Sequence, residues 1–244
     1  MTEFSLKDLY EDPRTPLSSG SERAELQAAI LAETAARLAR PLVAVDIGCG
    51  DGEATAVAVA RCKQTHRADV TFVGFDWSRA ALDLARDRGI QVARAALGGA
   101  GLPLADASVD VVIMSELIEH LVDTDGALEE VARILVPGGT LFLSTPNLAA
   151  WYNRVLLAFG VQPVFTEVSL RGVFGRPGSI VAGHLRIFTR SALEQLLSSR
   201  GFVEISVTGA PYHDVPRPLR PLDRAFCRAP GFASILVVSA RRPM

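Results

Sequence analysis

A glycine-rich loop that follows a short apolar run is the feature that most limits how this chain can fold. Residues 43–47 are apolar apart from Asp46, and glycine then occupies every second position, at Gly48, Gly50 and Gly52. Alternating glycines let the backbone approach a ligand closely and adopt dihedral angles that a Cβ atom would obstruct. The pattern favours a buried strand ending in a loop for a nucleotide-like ligand over a plain strand-to-helix turn.

The rest of the chain alternates between short apolar segments and segments with helical periodicity. Such alternation is typical of an α/β fold, in which a mostly parallel sheet is covered by helices on both faces. Seven strands are predicted, at residues 42–47, 70–75, 91–95, 109–114, 140–144, 203–208 and 235–240. Helices are predicted at residues 22–40, 53–62, 78–88, 123–135 and 190–200.

Two long segments interrupt this alternation. Residues 146–188 follow the fifth strand, and residues 209–232 separate the last two strands. Loops of this length in a compact domain usually carry function, so we expect residues 146–188 to form a lid over the site. The chain is expected to form one domain at 41–244, preceded by an arm and a helix at 1–40.

The predicted lid is rich in apolar side chains. Their concentration over a binding edge favours a bulky, partly hydrophobic ligand, although any one of them can equally belong to a small helix that packs on the domain. Asn147, at the start of the lid, is either a hydrogen-bonding group of the site or a turn residue. The apolar positions are Trp151, Tyr152, Leu156, Leu157, Phe159, Val164, Phe165 and Phe174.

An acidic residue ends the second predicted strand. Asp76 lies where ligands of open α/β sheets bind, and its carboxylate can accept hydrogen bonds from both hydroxyls of a ribose. The glycine spacing differs from the GxGxxG pattern of dinucleotide sites, and Asp51 and Glu53 would repel a diphosphate. These residues favour a nucleoside cofactor that is positively charged and carries no phosphate.

Residues 46–52, Asp76 and the segment 110–139 resemble class I S-adenosylmethionine-dependent methyltransferases. The resemblance implies a Rossmann-like, seven-stranded, mostly parallel sheet whose last strand is antiparallel. It also implies that the cofactor is S-adenosyl-L-methionine and that the chain is a methyltransferase.

The same resemblance assigns roles around the cofactor. It implies that Gly48 and Gly50 line the methionine part, that Asp46 lies at its amino end, that Asp76 holds the ribose and that Trp77 flanks adenine. The residues expected to bind the cofactor are Asp46, Gly48, Cys49, Gly50, Gly52, Asp76, Trp77, Leu97 and Ser115.

The third predicted strand departs from the family pattern. The family commonly has an aspartate after this strand to receive the adenine amino group, whereas this chain has Ala95, Ala96 and Leu97. Adenine is then expected to rely on backbone groups, water or another acceptor. This departure is the feature that favours a non-catalytic S-adenosylmethionine-binding protein as an alternative.

Acidic and histidine side chains follow the fourth predicted strand. Glu116, Glu119 and His120 stand at positions i, i+3 and i+4, so they share one face if the segment is helical. Two carboxylates and an imidazole can bind a divalent cation or accept a proton, and both options suit an oxygen nucleophile.

His184, which follows the lid, can complete this set. The pattern resembles the magnesium-using O-methyltransferases of ubiquinone biosynthesis and the enzymes that methylate the terminal 2′-hydroxyl of small RNAs. The resemblance implies that Glu116, Glu119, His120 and His184 hold Mg²⁺. Catalysis by His120, His184 and Glu116 without a metal is a second hypothesis, and a solvated acidic face beside a packing histidine is a third.

Charge and composition narrow the classes of partner. The formal net charge is −2 without a continuous basic stripe, so nucleic acid is a disfavoured partner, because phosphate contacts dominate such binding. Residues 1–20 contain no long apolar run, so neither a signal peptide nor a membrane span is expected. Three scattered cysteines favour a reducing cytoplasm. The sequence leaves open whether the protein forms a homodimer.

The sequence therefore predicts an S-adenosylmethionine-dependent O-methyltransferase. Its expected acceptor is a hydroxyl of a small, partly hydrophobic molecule, such as a natural-product, quinone-like or sugar-containing intermediate. Methylation of an RNA 2′-hydroxyl is the alternative activity. Arg171, Arg176 and Arg186 can clamp an acidic group of the acceptor, but solvation at the surface is the default for each.

Overall fold

A single seven-stranded sheet forms the centre of the protein, as predicted. The computed structural model describes residues 21–38, 40–66, 70–97 and 101–244. Each of the seven predicted strands is present within a few residues of its expected bounds. The strands are β1 (Leu42–Ile47), β2 (Val70–Asp76), β3 (Gln91–Arg94), β4 (Val109–Ser115), β5 (Leu135–Pro146), β6 (Val203–Ala210) and β7 (Ile235–Arg241).

Seven α-helices accompany the sheet in the described residues. They are α1 (Ser21–Ala35), α2 (Glu53–His66), α3 (Arg79–Asp87), α4 (Thr124–Ile134), α5 (Trp151–Ala158), α6 (Arg190–Ser199) and α7 (Arg220–Phe226). Side-chain caps explain where α3, α4 and α6 begin, because Ser78, Asp123 and Thr189 accept hydrogen bonds from backbone amides of the first turn. None of the helices in these ranges combines the length and the apolar character that a bilayer span needs.

The order of the strands creates a crevice between β1 and β4. The order of strands in the sheet is β3-β2-β1-β4-β5-β7-β6. From β1 the chain therefore adds β2 and β3 on one side, and then β4 and β5 on the other side. β1 to β5 pair in parallel, and β7 is antiparallel to both β5 and β6. In sheets of this kind ligands bind at the carboxyl ends of the strands, where the order reverses.

Apolar layers cover both faces of the sheet. On one face Leu128 and Val131 of α4 and Leu193 of α6 pack on the sheet, and on the other face Leu31 of α1 and Cys62 of α2 do so. Burial on both faces explains why β1 and β4 are almost continuously apolar instead of alternating.

Helix α1 and strand β5 differ from their predicted bounds. α1 ends at Ala35, five residues before the predicted end. β5 begins at Leu135, because Leu135 pairs with Val109 while the next partners are Thr140 and Val111. The intervening residues bulge out of the ladder, and Gly138 there has a φ of +74°. Residues 1–20 of the predicted arm lie outside the described residues, so the division at residue 40 stays a prediction.

Both long insertions contain helices that the sequence did not predict. α5 begins five residues into the segment 146–188, and α7 lies within the segment 209–232. α7 begins at Arg220 with a proline in its first turn, a position where a missing backbone N–H costs nothing.

The buried carboxylate of Asp223 joins the two insertions to the sheet. It accepts hydrogen bonds from Trp151 Nε1 at 2.9 Å, from the Tyr212 amide at 3.0 Å and from Ser234 Oγ at 2.5 Å. One side chain of α7 therefore holds the first residue of α5, the start of its own segment and the residue before β7.

Replacing Asp223 by alanine tests this junction. The three donors lose their acceptor inside the protein, so we expect Asp223→Ala to lower the free energy of unfolding by about 2–4 kcal/mol in urea titrations. Asp83→Ala is the control, because Asp83 lies on the surface of α3 and forms an exposed ion pair with Arg86. A similar, small effect of both changes would contradict the role of Asp223.

Candidate functional site

A large cavity opens at the carboxyl ends of β1, β2 and β4. Its volume is about 1160 Å³, which exceeds the space that one small ligand needs. The glycine loop after β1 forms one side, and both insertions form the other. The cavity can therefore hold a cofactor and an acceptor side by side.

The glycine loop adopts the conformation that its sequence predicts. Gly48, Gly50 and Gly52 have φ values of +78°, +54° and +74°, in the region where side chains are strained. A Cβ atom on Gly52 would also lie only 2.9 Å from Cβ of Ala85 in α3. The loop is thus pressed against a helix and cannot carry side chains there.

The site also requires Gly74 in β2, a glycine outside the loop that the sequence patterns did not single out. A Cβ atom at Gly74 would lie 2.7 Å from Sγ of Cys49. Burial raises the pKa of the Cys49 thiol, so it stays protonated and packs against β2. Cys49 lines the cavity as predicted, as an inert neighbour of the cofactor loop.

Asp76 holds the loops on either side of it. Its Oδ2 accepts a hydrogen bond from the Gly50 amide at 2.9 Å, and its Oδ1 accepts one from the Ser78 amide at 2.8 Å. A carboxylate offers about four lone-pair positions, so both oxygens keep capacity for ribose hydroxyls. The predicted role in ribose binding fits this geometry and stays a proposal.

Two buried acceptors on the cavity wall suit the methionine part of the cofactor. Asp46 accepts a hydrogen bond from Thr55 through Oδ2, while its Oδ1 has no partner among the described residues. Gln27 of α1 donates through Nε2 to Ser115 Oγ at 2.8 Å, and its Oε1 has no partner in the same part of the chain. Buried polar atoms require partners, and an ammonium group would supply donors.

Gln27 was missed by the sequence analysis. It lies in an alanine-rich helix, where one amide carries no positional signal. Helix α1 borders the cavity through Gln27.

The resemblance assigns Trp77 to adenine, and Arg94 packs against its ring. The guanidinium of Arg94 lies 4.3 Å from the centre of the Trp77 ring, and Arg94 Nε donates to the Trp77 carbonyl at 2.8 Å. Ala95, Ala96 and Leu97 line the cavity nearby, where the family commonly has its aspartate. Arg94 braces the ring from the end of β3, which is a contact that the sequence patterns did not indicate.

The segment after β4 is not the helix that the spacing of its acids suggested. Glu116 has a φ of +50°, and only Ile118–His120 form a single 3₁₀ turn. The Glu116 amide donates to the Ser144 carbonyl, and Ser144 Oγ donates to the Glu116 carboxylate at 2.8 Å. Pairing with β5 therefore extends one residue beyond β4, and the condition under which the three side chains would share one helical face is not met.

Three of the four predicted metal ligands nevertheless come together. Atoms of Glu119, His120 and His184 that can bind a metal lie within 4.8 Å of one another. Glu119 is completely buried, and its Oε2 accepts a hydrogen bond from Thr145 Oγ1 at 3.0 Å. Glu116 lines the same cavity but lies outside this group of three.

Backbone carbonyls orient both imidazoles. His120 Nδ1 lies 3.1 Å from the Gly183 carbonyl, and His184 Nδ1 lies 3.0 Å from the Phe165 carbonyl. Because a carbonyl oxygen only accepts, each Nδ1 must carry the proton, which leaves the lone pair of the neutral ring on Nε2.

The same surroundings keep the two rings neutral. Burial, followed by the neighbouring His184, lowers the pKa of His120 to about 3. Burial also lowers the pKa of His184. Neutral imidazole is the form that binds metals.

The lid supplies an apolar wall, as its composition predicted. Trp151, Tyr152, Leu156, Val164 and Phe165 line the cavity. Not every apolar residue of the lid faces inward, because three of them are well exposed: Leu157, Phe159 and Phe174.

The amide of Asn147 is occupied by the backbone. Its Nδ2 donates to the Ala233 carbonyl at 2.8 Å, and its Oδ1 accepts from the Ala149 amide at 2.9 Å. Of the two hypotheses for this residue, the structure supports the turn residue.

The arginines considered as clamps for an acidic acceptor are engaged elsewhere or exposed. Arg176 pairs with Glu167 at 3.0 Å, and Arg186 donates to the carbonyls of Leu121 and Val122. Arg171 is exposed and does not line the cavity.

The fold recurs in known methyltransferases. A crystal structure of an S-adenosylmethionine-dependent methyltransferase from Mesorhizobium loti is similar with a TM-score of 0.58 and 21% identity. The similarity covers 93% of this chain and 100% of that chain. At this level of identity the comparison establishes the fold, which is that of the class I methyltransferases.

Sequence comparison places the chain within one family. Residues 20–207 match the model of the methyltransferase domain family. The chain therefore belongs to this family of methyltransferase domains.

Two relatives indicate the range of activities around it. The chain is 29% identical to a ubiquinone biosynthesis O-methyltransferase of Chelativorans sp., over 72% of this chain and 66% of the relative. It is 30% identical to a trans-aconitate 2-methyltransferase of Methylobacterium radiotolerans, over 84% of this chain and 70% of that relative. The chain thus spans somewhat less than two thirds of the ubiquinone relative.

Cofactor binding should depend on the protonation of Asp46. Burial raises the pKa of Asp46 to about 7 in the protein without ligand, whereas the cofactor ammonium is attracted to the carboxylate form. Binding must then release a proton below this pH, so the affinity for S-adenosylhomocysteine should fall as the pH falls. We expect a loss of about tenfold for each unit below pH 7.

Calorimetric titration between about pH 5.5 and about pH 8.5 measures this dependence. Asp46→Asn is the control, because an amide cannot titrate; it should bind the cofactor more weakly and without this slope. An equal slope in both proteins would assign the pH dependence to another group.

Proposed function

We propose that this methyltransferase transfers the methyl group to a hydroxyl of a small, neutral, partly hydrophobic molecule, with a divalent cation such as Mg²⁺ at Glu119, His120 and His184. Glu116 is the neighbouring acid of this site. The observation that carries the proposal is the convergence of these three side chains at the end of β4, with both imidazoles fixed by backbone carbonyls.

The contacts around the two histidines support a metal role. Histidines that bind metals usually donate their second ring N–H to a carbonyl or a carboxylate, which fixes the tautomer and the direction of the ring. His120 and His184 both make such a contact. Glu119 adds a carboxylate that is held by Thr145, so the set has the chemistry of a site for a hard or borderline cation.

Glu119, His120 and His184 lie in the cavity that would hold the acceptor. These three residues, together with Ser115, Glu116 and the glycine loop, all line one cavity. S-adenosylmethionine supplies the methyl group when bound, and a divalent cation would orient the acceptor oxygens and lower the pKa of the hydroxyl. The apolar lid excludes water from the same space.

The walls of the cavity favour a neutral acceptor over a polyacid. Among the described residues that line it, Arg176 is the single arginine or lysine, and its charge is paired with Glu167. A tricarboxylate would find no uncompensated cation in this part of the chain. The ubiquinone relative is therefore the more informative of the two for the acceptor, and a ring with adjacent hydroxyls is the preferred class.

The low pKa of His120 disfavours the metal-free hypothesis. A general base works best when its pKa lies near the working pH, and His120 lies about four units below neutrality. A neutral Nε2 that is a weak proton acceptor can still donate its lone pair to a metal.

Metal dependence of methyl transfer tests the proposal. We expect the purified protein to methylate a simple catechol with Mg²⁺ and to lose this activity in EDTA, while a monophenol and trans-aconitate are poor acceptors. His120→Ala should slow transfer by roughly 10²–10⁴-fold and leave the affinity for S-adenosylhomocysteine unchanged.

Two variants serve as comparisons. Glu194→Ala removes a carboxylate that pairs with Arg190 on the surface of α6, and should keep full activity. Asp76→Ala should lose cofactor binding itself. Undiminished transfer in EDTA would exclude the metal role, and a preference for trans-aconitate would exclude the neutral acceptor.

A further inference from the structure

A buried carboxylate in the lid gathers one short stretch of backbone. Glu167 accepts hydrogen bonds from the amides of Ala182, Gly183 and His184, at 2.6, 2.7 and 3.0 Å. Arg176 lies 3.0 Å from the same carboxylate, and the exposed fractions of the two side chains are 2% for Glu167 and 6% for Arg176. Four donors inside the protein thus converge on one side chain.

The stretch that Glu167 holds is the one that orients both histidines. Its Gly183 carbonyl receives Nδ1 of His120, and its last residue is His184. Nδ1 of His184 in turn donates to Phe165, which lies two residues before Glu167 and has a φ of +71°. A strained non-glycine residue of this kind persists only where its surroundings fix it.

The following two residues are fixed from the other side. The amides of Leu185 and Arg186 both donate to the carbonyl of Glu119, at 2.8 and 3.1 Å. Residues 182–186 are therefore clamped between Glu167 of the lid and Glu119 of the cluster. A shift of this stretch would move His184 and withdraw the Gly183 carbonyl from His120.

We infer that Glu167 is a positioning residue that fixes His120 and His184 in the tautomer with the proton on Nδ1, through the backbone of residues 182–184. Its carboxylate accepts hydrogen bonds from the amides of Gly183 and His184, so it acts through the backbone of these two residues. The consequence for methyl transfer rests on the proposed function, whereas the tautomers do not.

Position 167 requires a carboxylate because the four groups that bind it, three backbone amides and the Arg176 guanidinium, are all hydrogen-bond donors. Glutamine has nearly the same shape, but its amide carries two donors and only one acceptor oxygen. In Glu167→Gln, an NH₂ group would face backbone amides or the Arg176 guanidinium, so at least one buried donor would lose its partner. The stretch 182–184 is then expected to move.

Histidine NMR measures the tautomers directly. In protein labelled with ¹⁵N-histidine, long-range ¹H–¹⁵N spectra should show His120 and His184 as neutral rings protonated on Nδ1, with assignments from His120→Ala and His184→Ala. Glu167→Gln should lose this pattern for both rings. Glu194→Gln is the matched control, because Glu194 pairs with Arg190 on the surface of α6 and should leave the pattern unchanged.

Cofactor affinity separates positioning from misfolding. Glu167→Gln should bind S-adenosylhomocysteine as the unaltered protein does, because the glycine loop lies outside the lid, and its kcat should fall about 10–100-fold. If this variant does not fold, Glu167→Asp keeps the charge, is one methylene shorter and should shift the same two histidine signals.

The inference is overturned if either ring of the unaltered protein carries its proton on Nε2, or if a folded variant at position 167 keeps both Nδ1–H signals. The spectra require neither a metal nor an acceptor. A failure to methylate catechols would therefore count against the proposed function and leave the positioning role of Glu167 to be decided by NMR.

Discussion

The carboxylate of Asp76 holds together the two loops from which the cofactor side of the cavity is built. One of its oxygens accepts the Gly50 amide, and the other accepts the amide of Ser78, which caps α3. The glycine loop is pressed against α3 through Gly52 and against β2 through Gly74. The amides of Gly48 and Cys49 also donate to the Phe75 carbonyl, so the Asp76 carboxylate and the backbone of β2 fix the glycine loop together.

The acceptor side is built on a different principle. Its wall belongs to two insertions with little regular structure, so buried carboxylates take the place of a sheet in fixing it. Asp223 ties Trp151 of α5 to the loop before β7, and Glu167 ties the stretch before His184 to the lid. A carboxylate suits this task because it accepts several hydrogen bonds at once and offers no donor that would compete.

The sequence predicted the sheet and the cofactor loop because these depend on local patterns, namely short apolar runs, alternating glycines and the acid after β2. It could not predict contacts that depend on distant residues. Gln27 is one amide in a helix without polar pattern, and Glu167 is one acid in an irregular segment. Whether the segment at His120 is a helix or a three-residue turn could not be decided, because i, i+3 and i+4 spacing carries no information on turn length. His184 was singled out because it follows the lid, but the lid has no periodicity from which the contact between His184 and His120 could be predicted.

The charges around the cavity connect its two ends. In the described residues, the one arginine of the cavity wall, Arg176, is already paired with Glu167. The wall also carries six carboxylates, which are those of Asp46, Asp51, Asp76, Glu116, Glu119 and Asp214. Buried carboxylates need a countercharge, and the raised pKa of Asp46 shows that this need is unmet at the cofactor end when no ligand is bound. A sulfonium cofactor with an ammonium group would supply the countercharge at the cofactor end. The proposed divalent cation would supply it beside Glu119. Both countercharges would come from bound groups, which is consistent with the proposed neutral acceptor, and the lid supplies an apolar wall for it.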